Sequence, residues 1–265
     1  PNAVPARLSV LFSRRGLAAW AALAIGLLLT GFISARQLQD RNQNADTLFQ
    51  LRATDLINAI EQRLRDHEQI LLGGAGLFDA SGDVSRQEWR AYVARLRLDQ
   101  NYPGIQGVGF SQVIAASDLA GHIDAMRSKG FPDYTVRPPG ERALYTSIIY
   151  LEPFAGRNLA AFGYDMFSET TRRKGMEQAV EGGTTSISGK VKLVQETHGP
   201  EQAGFLMYVP VYHPYQPLTT PAERWKALRG FVYSPYRADD LMTGILGEGD
   251  QLVNLTIHDG TSANT

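Results

Sequence analysis

The hydrophobic pattern begins with an uninterrupted apolar run near the N-terminus. Residues 16–33 read GLAAWAALAIGLLLTGFI, 18 residues without a charged side chain. At 1.5 Å per residue, this length approaches the roughly 30 Å of a bilayer core. Arg7, Arg14 and Arg15 precede the run without an acid, whereas the residues after it carry both signs. The pattern predicts a transmembrane helix, with residues 1–15 in the cytoplasm and the chain beyond it extracytoplasmic.

Two other structures produce apolar runs of this kind. A cleaved signal peptide has an apolar region of about 7–15 residues and a small-x-small cleavage site, to which Ile33-Ser34-Ala35 corresponds poorly. A buried helix of a soluble protein does not explain the charges that flank the run. We therefore favour an uncleaved anchor in the inner membrane.

Behind the anchor, apolar residues recur at spacings of three and four. Neither Gly nor Pro occurs between Phe32 and Leu72, so the pattern predicts a stalk helix over residues 34–72, ended by the glycines of residues 73–76. The stripe is narrow, and it pairs with a second copy to form a homodimer or packs on its own domain. It consists of Phe49, Ala53, Leu56, Ile60, Leu64, His67 and Leu71.

Beyond the glycines the pattern alternates between strand and helix periods. Ser85 and Glu88 have the spacing of a capping box, which predicts a helix to about Leu96. Two more helices are predicted over residues 119–129 and 170–180. The fold class is α+β, with two small sheets rather than one large sheet. The predicted strands cover residues 105–114, 134–136, 145–151, 161–166, 190–194, 205–212, 230–233 and 252–258.

Composition and charge narrow the function classes. The net charge of -1 argues against nucleic-acid binding, and the absence of cysteine removes disulfides, thiolate zinc sites and cysteine nucleophiles. The five histidines lack metal-ligand spacing, and the glycines at 73–76 lack the Lys-Ser/Thr of a phosphate loop. We therefore predict no metal, no cofactor and no catalytic residue. An extracytoplasmic hydrolase remains the competing class, because sequence distance does not exclude a serine triad.

A series of short motifs, taken in order and spacing, resembles the CHASE sensor domain family. The resemblance covers roughly residues 73–265, with the anchor and stalk in their usual place before it. Arg172-Arg173 belongs to the series. The other motifs are GLFDAS (76–81), SRQEW (85–89), YPGIQGVGF (102–110), YLEP (150–153), GYDM (163–166), VPVY (209–212) and GFVYSPYR (230–237).

The resemblance implies an extracytoplasmic input module of a transmembrane receptor. Such a domain has a long N-terminal helix, through which it dimerises, and two tandem PAS-like subdomains: antiparallel sheets with flanking helices. We place the distal one at about residues 100–212 and the proximal one, truncated, at about 213–265. The chain is then a fragment of a receptor, first a sensor histidine kinase and second a diguanylate cyclase or phosphodiesterase. A scaffold with a vestigial pocket would instead have a filled distal core.

The family binds small molecules in the distal subdomain, and plant cytokinin receptors belong to it. Aligned without gaps, their ring-binding aspartate falls on Arg172, which donates hydrogen bonds and accepts none. This substitution argues against recognition of an N6-substituted adenine in that manner. The ligand classes that we expect are a cytokinin-like adenine derivative and an anionic metabolite. Arg172 or Arg173 either binds an anionic group or forms a salt bridge to Asp165, Glu169 or Glu152. The predicted ligand-binding residues are Tyr145, Phe162, Tyr164, Met166, Arg172, Val194, Leu206 and Tyr208.

Overall fold

A computed structural model of the protein describes residues 14–196, 202–246, 255–258 and 260. Its contacts divide the chain into two compact units, which meet in sequence between Ile57 and Asn58. In the described part of the first unit, every residue is helical. The second contains the sheet and the remaining helices. The predicted strand at 252–258 lies outside the described residues up to 254, and residues 255–258 have no strand assignment.

The first element is a single long helix, α1 (Arg14–Ser81). The stretch Trp20–Gln39 is long and apolar enough to cross a membrane, and none of it is buried within the protein. The N-terminal apolar helix predicted from the sequence is therefore present and fits membrane anchoring. The predicted orientation, with the N-terminus in the cytoplasm, stays a prediction.

Helix α1 does not end at Leu72, as the glycines predicted, but continues to Ser81. A Cβ atom on Gly74 would lie 3.1 Å from Cη2 of Trp89 and 3.2 Å from Cγ1 of Val232. The glycine therefore lets the helix backbone approach its neighbours closely. The residue that ends the helix is Gly82, whose φ of 66° lies in the left-handed region favoured by glycine.

The second unit contains one five-stranded antiparallel sheet, in the order β2-β1-β5-β4-β3. The capping box of Ser85 and Glu88 is confirmed at the start of α2. The helices after α1 are α2 (Arg86–Leu96), α3 (Leu98–Asn101), α4 (Leu119–Ser128), α5 (Thr170–Gly182), α6 (Pro221–Ala227) and α7 (Ala238–Leu246). The strands are β1 (Val108–Ala115), β2 (Leu144–Glu152), β3 (Ser186–Ile187), β4 (Gly204–Tyr212) and β5 (Leu228–Arg237).

The α+β class is confirmed, whereas two separate sheets are not found among the described residues. Strand β5 begins at Leu228, beyond the predicted boundary near residue 212, and lies between β1 and β4 in the same sheet. The tandem PAS-like division stays a prediction. Two predicted strands are absent. Residues 134–136 have no strand assignment, with an isolated bridge only at the next residue, Arg137, and residues 190–194 make one isolated bridge, at Val191.

The sheet is covered on both faces by separate hydrophobic clusters. On one face, Phe78 at the end of α1 and Trp89 of α2 pack with Phe110 of β1. On the other face, Met176 of α5 packs with Tyr208 of β4, and both side chains are fully buried. The two clusters define an α1/α2/α4 face and an α5 face.

His67 of α1 is fully buried, with Tyr236 stacked at 5.2 Å and Tyr102 edge-on at 5.9 Å. Neither ring nitrogen has a hydrogen-bond partner among the described residues. Burial lowers the pKa of His67 from 6.5 to about 4; Arg63 adds to this and Asp66 opposes it. Because the folded pKa lies below the unfolded value, the unfolded chain binds more protons between pH 6.5 and 4, and stability falls as pH falls.

We expect His67 to contribute about 2 kcal/mol to the loss of stability between pH 7.5 and 5. Urea unfolding of the full chain in micelles at several pH values measures this slope. His67→Phe keeps the ring stack and removes the titrating nitrogens, so its slope should be smaller. The slope that remains belongs partly to His122, because burial also lowers its pKa to about 4. Identical slopes for the variant and the parent chain would contradict the assignment.

Candidate functional site

The segment Gly163-Tyr164-Asp165-Met166, predicted as part of a strand, instead follows the outer edge of β2 as an irregular segment. Ile148 of β2 donates to the carbonyl of Tyr164 at 3.0 Å and accepts from the amide of Gly163 at 2.9 Å. A strand would point successive side chains to opposite faces, whereas Asp165 and Met166 are both fully buried. The segment caps the edge of the sheet.

Most of the predicted ligand-binding residues meet on the α5 face. They enclose a void of about 10 Å³, beside the ring of Tyr233. A void of this size holds at most one water molecule. Tyr208 is buried in the same cluster. The predicted residues that line the void are Tyr164, Met166, Arg172, Val194 and Leu206.

Arg172 is buried and its guanidinium is engaged within the protein. Nη1 lies 3.3 Å from Oε2 of Glu169, and Nη2 donates to the carbonyl of Lys192 at 2.6 Å. The guanidinium carbon lies 5.3 Å from the centre of the Tyr164 ring. The salt bridge to Glu169 is one of the two alternatives from the sequence. The ligand role of Arg172 stays a prediction.

Two predicted site residues lie away from this void. Tyr145 is buried in the cluster of the α1/α2/α4 face, and its hydroxyl donates to the carbonyl of Gly140 at 2.9 Å. Phe162 packs against the same cluster, with its ring centre 4.9 Å from that of Phe131. The structure therefore does not bring all eight predicted residues to one place.

The α1/α2/α4 face carries a much larger cavity, of about 850 Å³. This volume lies within the range of small-molecule sites. Its lining comes from the end of α1, the start of α2, strands β1, β2 and β5, and helix α4. The apolar lining includes Phe78, Phe110, Ile114, Met126, Phe131 and Tyr150, and the polar lining includes Asp83, Ser85, Arg86, Gln112, Asp118, His122, Lys129 and Arg229.

Arg86 is the cavity residue with the most unusual surroundings. Its guanidinium carbon lies 4.6–5.2 Å from the centres of four rings, those of Phe131, Tyr150, Phe154 and Phe162. Nη2 donates to the carbonyl of Ile149, whereas Nη1 is buried without a hydrogen-bond partner among the described residues. Burial lowers the pKa of Arg86 from its ordinary value, although Tyr150 and Glu152 oppose this effect.

A family model for the CHASE domain matches residues 82–265, which include the whole sheet and the start of α2. This chain belongs to the CHASE domain family. CHASE domains are extracytoplasmic sensor modules of membrane receptors, which agrees with the apolar stretch of α1. Comparison with curated protein sequences finds no match.

In this CHASE domain, the sequence did not predict a binding role for Arg86, although this residue belongs to the SRQEW motif (85–89). Ser85 and Glu88 explained the motif as a helix cap, which the structure confirms. The cap also fixes Arg86 as the first residue of α2, directly below the ring of Tyr150. The four rings that surround the guanidinium come from separate parts of the chain, so no local pattern indicated the arrangement.

Proposed function

We propose that this CHASE domain is the ligand-sensing input module of a transmembrane receptor, and that a small molecule binds in the 850 Å³ cavity. The observation that supports this is the position of the cavity, which Phe78 near the end of α1 lines together with Arg86 of α2 and Met126 of α4. A ligand there contacts α1 directly. Such a ligand shifts the equilibrium between two positions of α1 if it binds the domain more tightly in one of them than in the other.

The output we propose is a histidine kinase, with the N-terminus of the chain in the cytoplasm and the sensor domain in the periplasm. The frequency of this output in the family supports the kinase, with a diguanylate cyclase as the alternative, and the basic residues before the anchor support the orientation. The ligand classes are those expected from the sequence, an adenine derivative of the cytokinin type or an anionic metabolite. The predicted binding residues on the α5 face stay the alternative site for the first class, although the void between them would have to widen to admit an adenine ring.

We also propose that two copies of the chain pair through α1. Leu48, Phe49 and Leu51 follow the apolar stretch Trp20–Gln39 and are all more than half exposed in the single chain, and Phe49 begins the predicted stripe. Further along the predicted stripe, His67 and Leu71 are fully buried within the second unit. The exposed apolar positions support pairing along the first part of the stalk.

Thermal unfolding of the full chain in nanodiscs tests ligand binding. The panel contains adenine-type cytokinins, carboxylates and uncharged metabolites. We expect at least one compound to raise the melting temperature, because a ligand at 100 times its dissociation constant adds about 2.7 kcal/mol. Ala125→Trp places an indole in the cavity and should abolish the shift. Ala120→Trp, on an exposed position of the same helix that does not line the cavity, should preserve it.

If no compound raises the melting temperature, the proposal of a small-molecule sensor fails. If a compound binds equally well to Ala125→Trp, the proposed cavity is wrong and the α5 face becomes the next candidate.

A further inference from the structure

We propose that the ligand of the 850 Å³ cavity is a carboxylate with an apolar body, and that Arg86 binds its carboxylate group. This inference rests on the proposed function, because it requires that the cavity bind a small molecule. It names both the chemical class of the ligand and the residue that selects it.

The first argument is the unsatisfied guanidinium of Arg86. Its Nη2 group donates to the carbonyl of Ile149 at 2.5 Å, while Nη1 is buried without a partner in the described part of the chain. Leaving a charged donor buried and unpaired has a high free-energy cost. Because Nη1 is covered in this arrangement, an oxyanion in the cavity reaches it only when the Arg86 side chain or a ring beside it shifts, and the oxyanion then accepts a charge-assisted hydrogen bond.

The second argument is that Arg86 forms no salt bridge with an acidic side chain among the described residues, although Glu152 lies near enough to act on its pKa. The nearby carboxylate of Glu152 pairs with Arg90 at 3.3 Å, and that of Asp83 pairs with Arg229 at 3.2 Å. The four aromatic rings stabilise the cation but cannot replace a hydrogen-bond acceptor. Arg86 therefore retains one positive charge for a ligand.

The third argument distinguishes a carboxylate from a more highly charged anion. The other charged lining residues balance one another, because Asp83 pairs with Arg229 and Asp118 is offset by Lys129, so that Arg86 supplies the one excess positive charge of the lining. The lowered pKa of His122 leaves that ring neutral near pH 7. One free guanidinium nitrogen thus suits a monoanion. Phe110, Ile114 and Met126 supply an apolar wall for the rest of the molecule.

The test uses acids paired with their uncharged amides. Benzoate, phenylacetate and hexanoate are each compared with the corresponding primary amide, by thermal unfolding of the full chain in nanodiscs at constant ionic strength. We expect at least one acid to raise the melting temperature where its amide does not. Arg86→Gln should weaken binding of that acid at least tenfold, as the loss of a charge-assisted hydrogen bond implies.

Arg95→Gln is the matched control, because it removes a positive charge from an exposed position of the same helix that does not line the cavity, and it should leave the affinity unchanged. Circular dichroism and the melting temperature without ligand establish that Arg86→Gln folds. If it does not, Arg86→Lys retains the charge, loses the planar geometry, and should still bind the acid measurably more weakly.

The inference is overturned if acids and amides shift the melting temperature equally, or if binding of the acid survives in Arg86→Gln. Its failure is distinguishable from that of the proposed function. Uncharged compounds that bind the parent chain but not Ala125→Trp would leave the sensor proposal intact and exclude the carboxylate. If neither acids nor uncharged compounds bind, both proposals are wrong.

Discussion

Asp165→Ala should destabilise the domain by about 3–5 kcal/mol, the range expected when one member of a buried charged network is removed. Its Oδ1 accepts from the amide of Thr146 at 2.8 Å and from the amide of Phe167 at 3.1 Å. Its Oδ2 lies 3.5 Å from Nη1 of Arg142. Alanine leaves a buried backbone donor of β2 unpaired and removes the charge that faces Arg142. Urea unfolding of the full chain measures the difference.

Asp165→Asn keeps one acceptor oxygen and should lose less stability than the alanine variant. Asp133→Ala provides the control, since that side chain is exposed and its removal should change the free energy of unfolding by less than about 0.5 kcal/mol. Equal losses for Asp165→Ala and Asp133→Ala would show that the buried carboxylate contributes nothing to stability.

Gly109→Ala should lower stability by about 3 kcal/mol, at the upper end of the range for overpacked positions. Gly109 lies in β1, opposite Leu151 of β2 and Tyr233 of β5. An added Cβ atom would lie 2.6 Å from the carbonyl oxygen of Tyr150 and 2.6 Å from Cε1 of Tyr233. Because one of these atoms belongs to the backbone of the neighbouring strand, the sheet itself must move.

Gly76→Ala is the matched control and should have the opposite sign. Gly76 is an exposed residue of α1, and no atom lies within 4 Å of the position that its Cβ would take. The alanine should stabilise the helix by up to about 1 kcal/mol. If both variants lose stability equally, the effect at Gly109 is not a consequence of close packing in the sheet.

Local signals in the sequence were sufficient for most elements of the fold. The capping box of Ser85 and Glu88 marked the start of α2, and the predicted strand 105–114 and helix 170–180 lie within a few residues of β1 and α5. Gly74 was misread because its role depends on Trp89 and Val232, which are distant in sequence. Sequence spacing alone does not distinguish a glycine that ends a helix from one that lets a helix pack closely.

The candidate site was predicted less well from the sequence than the fold was. Five of the predicted residues line one small void on the α5 face: Tyr164, Met166, Arg172, Val194 and Leu206. The larger cavity depends on how α4 lies against β1 and β2. Arg86, which lines this cavity, is the first residue of an ordinarily capped helix. Its guanidinium is unusual only because four aromatic rings from residues 131–162 surround it. That juxtaposition is a property of the tertiary structure.

The irregular segment along the outer edge of β2 has a consequence for solubility. An edge strand with free amides and carbonyls is a template for pairing with another chain, and many proteins aggregate through such edges. Here Gly163 and Tyr164 occupy the backbone groups of Ile148, and Asp165 occupies the amide of Thr146. At the opposite edge, β3 is only two residues long. Backbone groups are therefore covered in part at both edges, which shortens the stretch of free strand that an incoming chain could pair with.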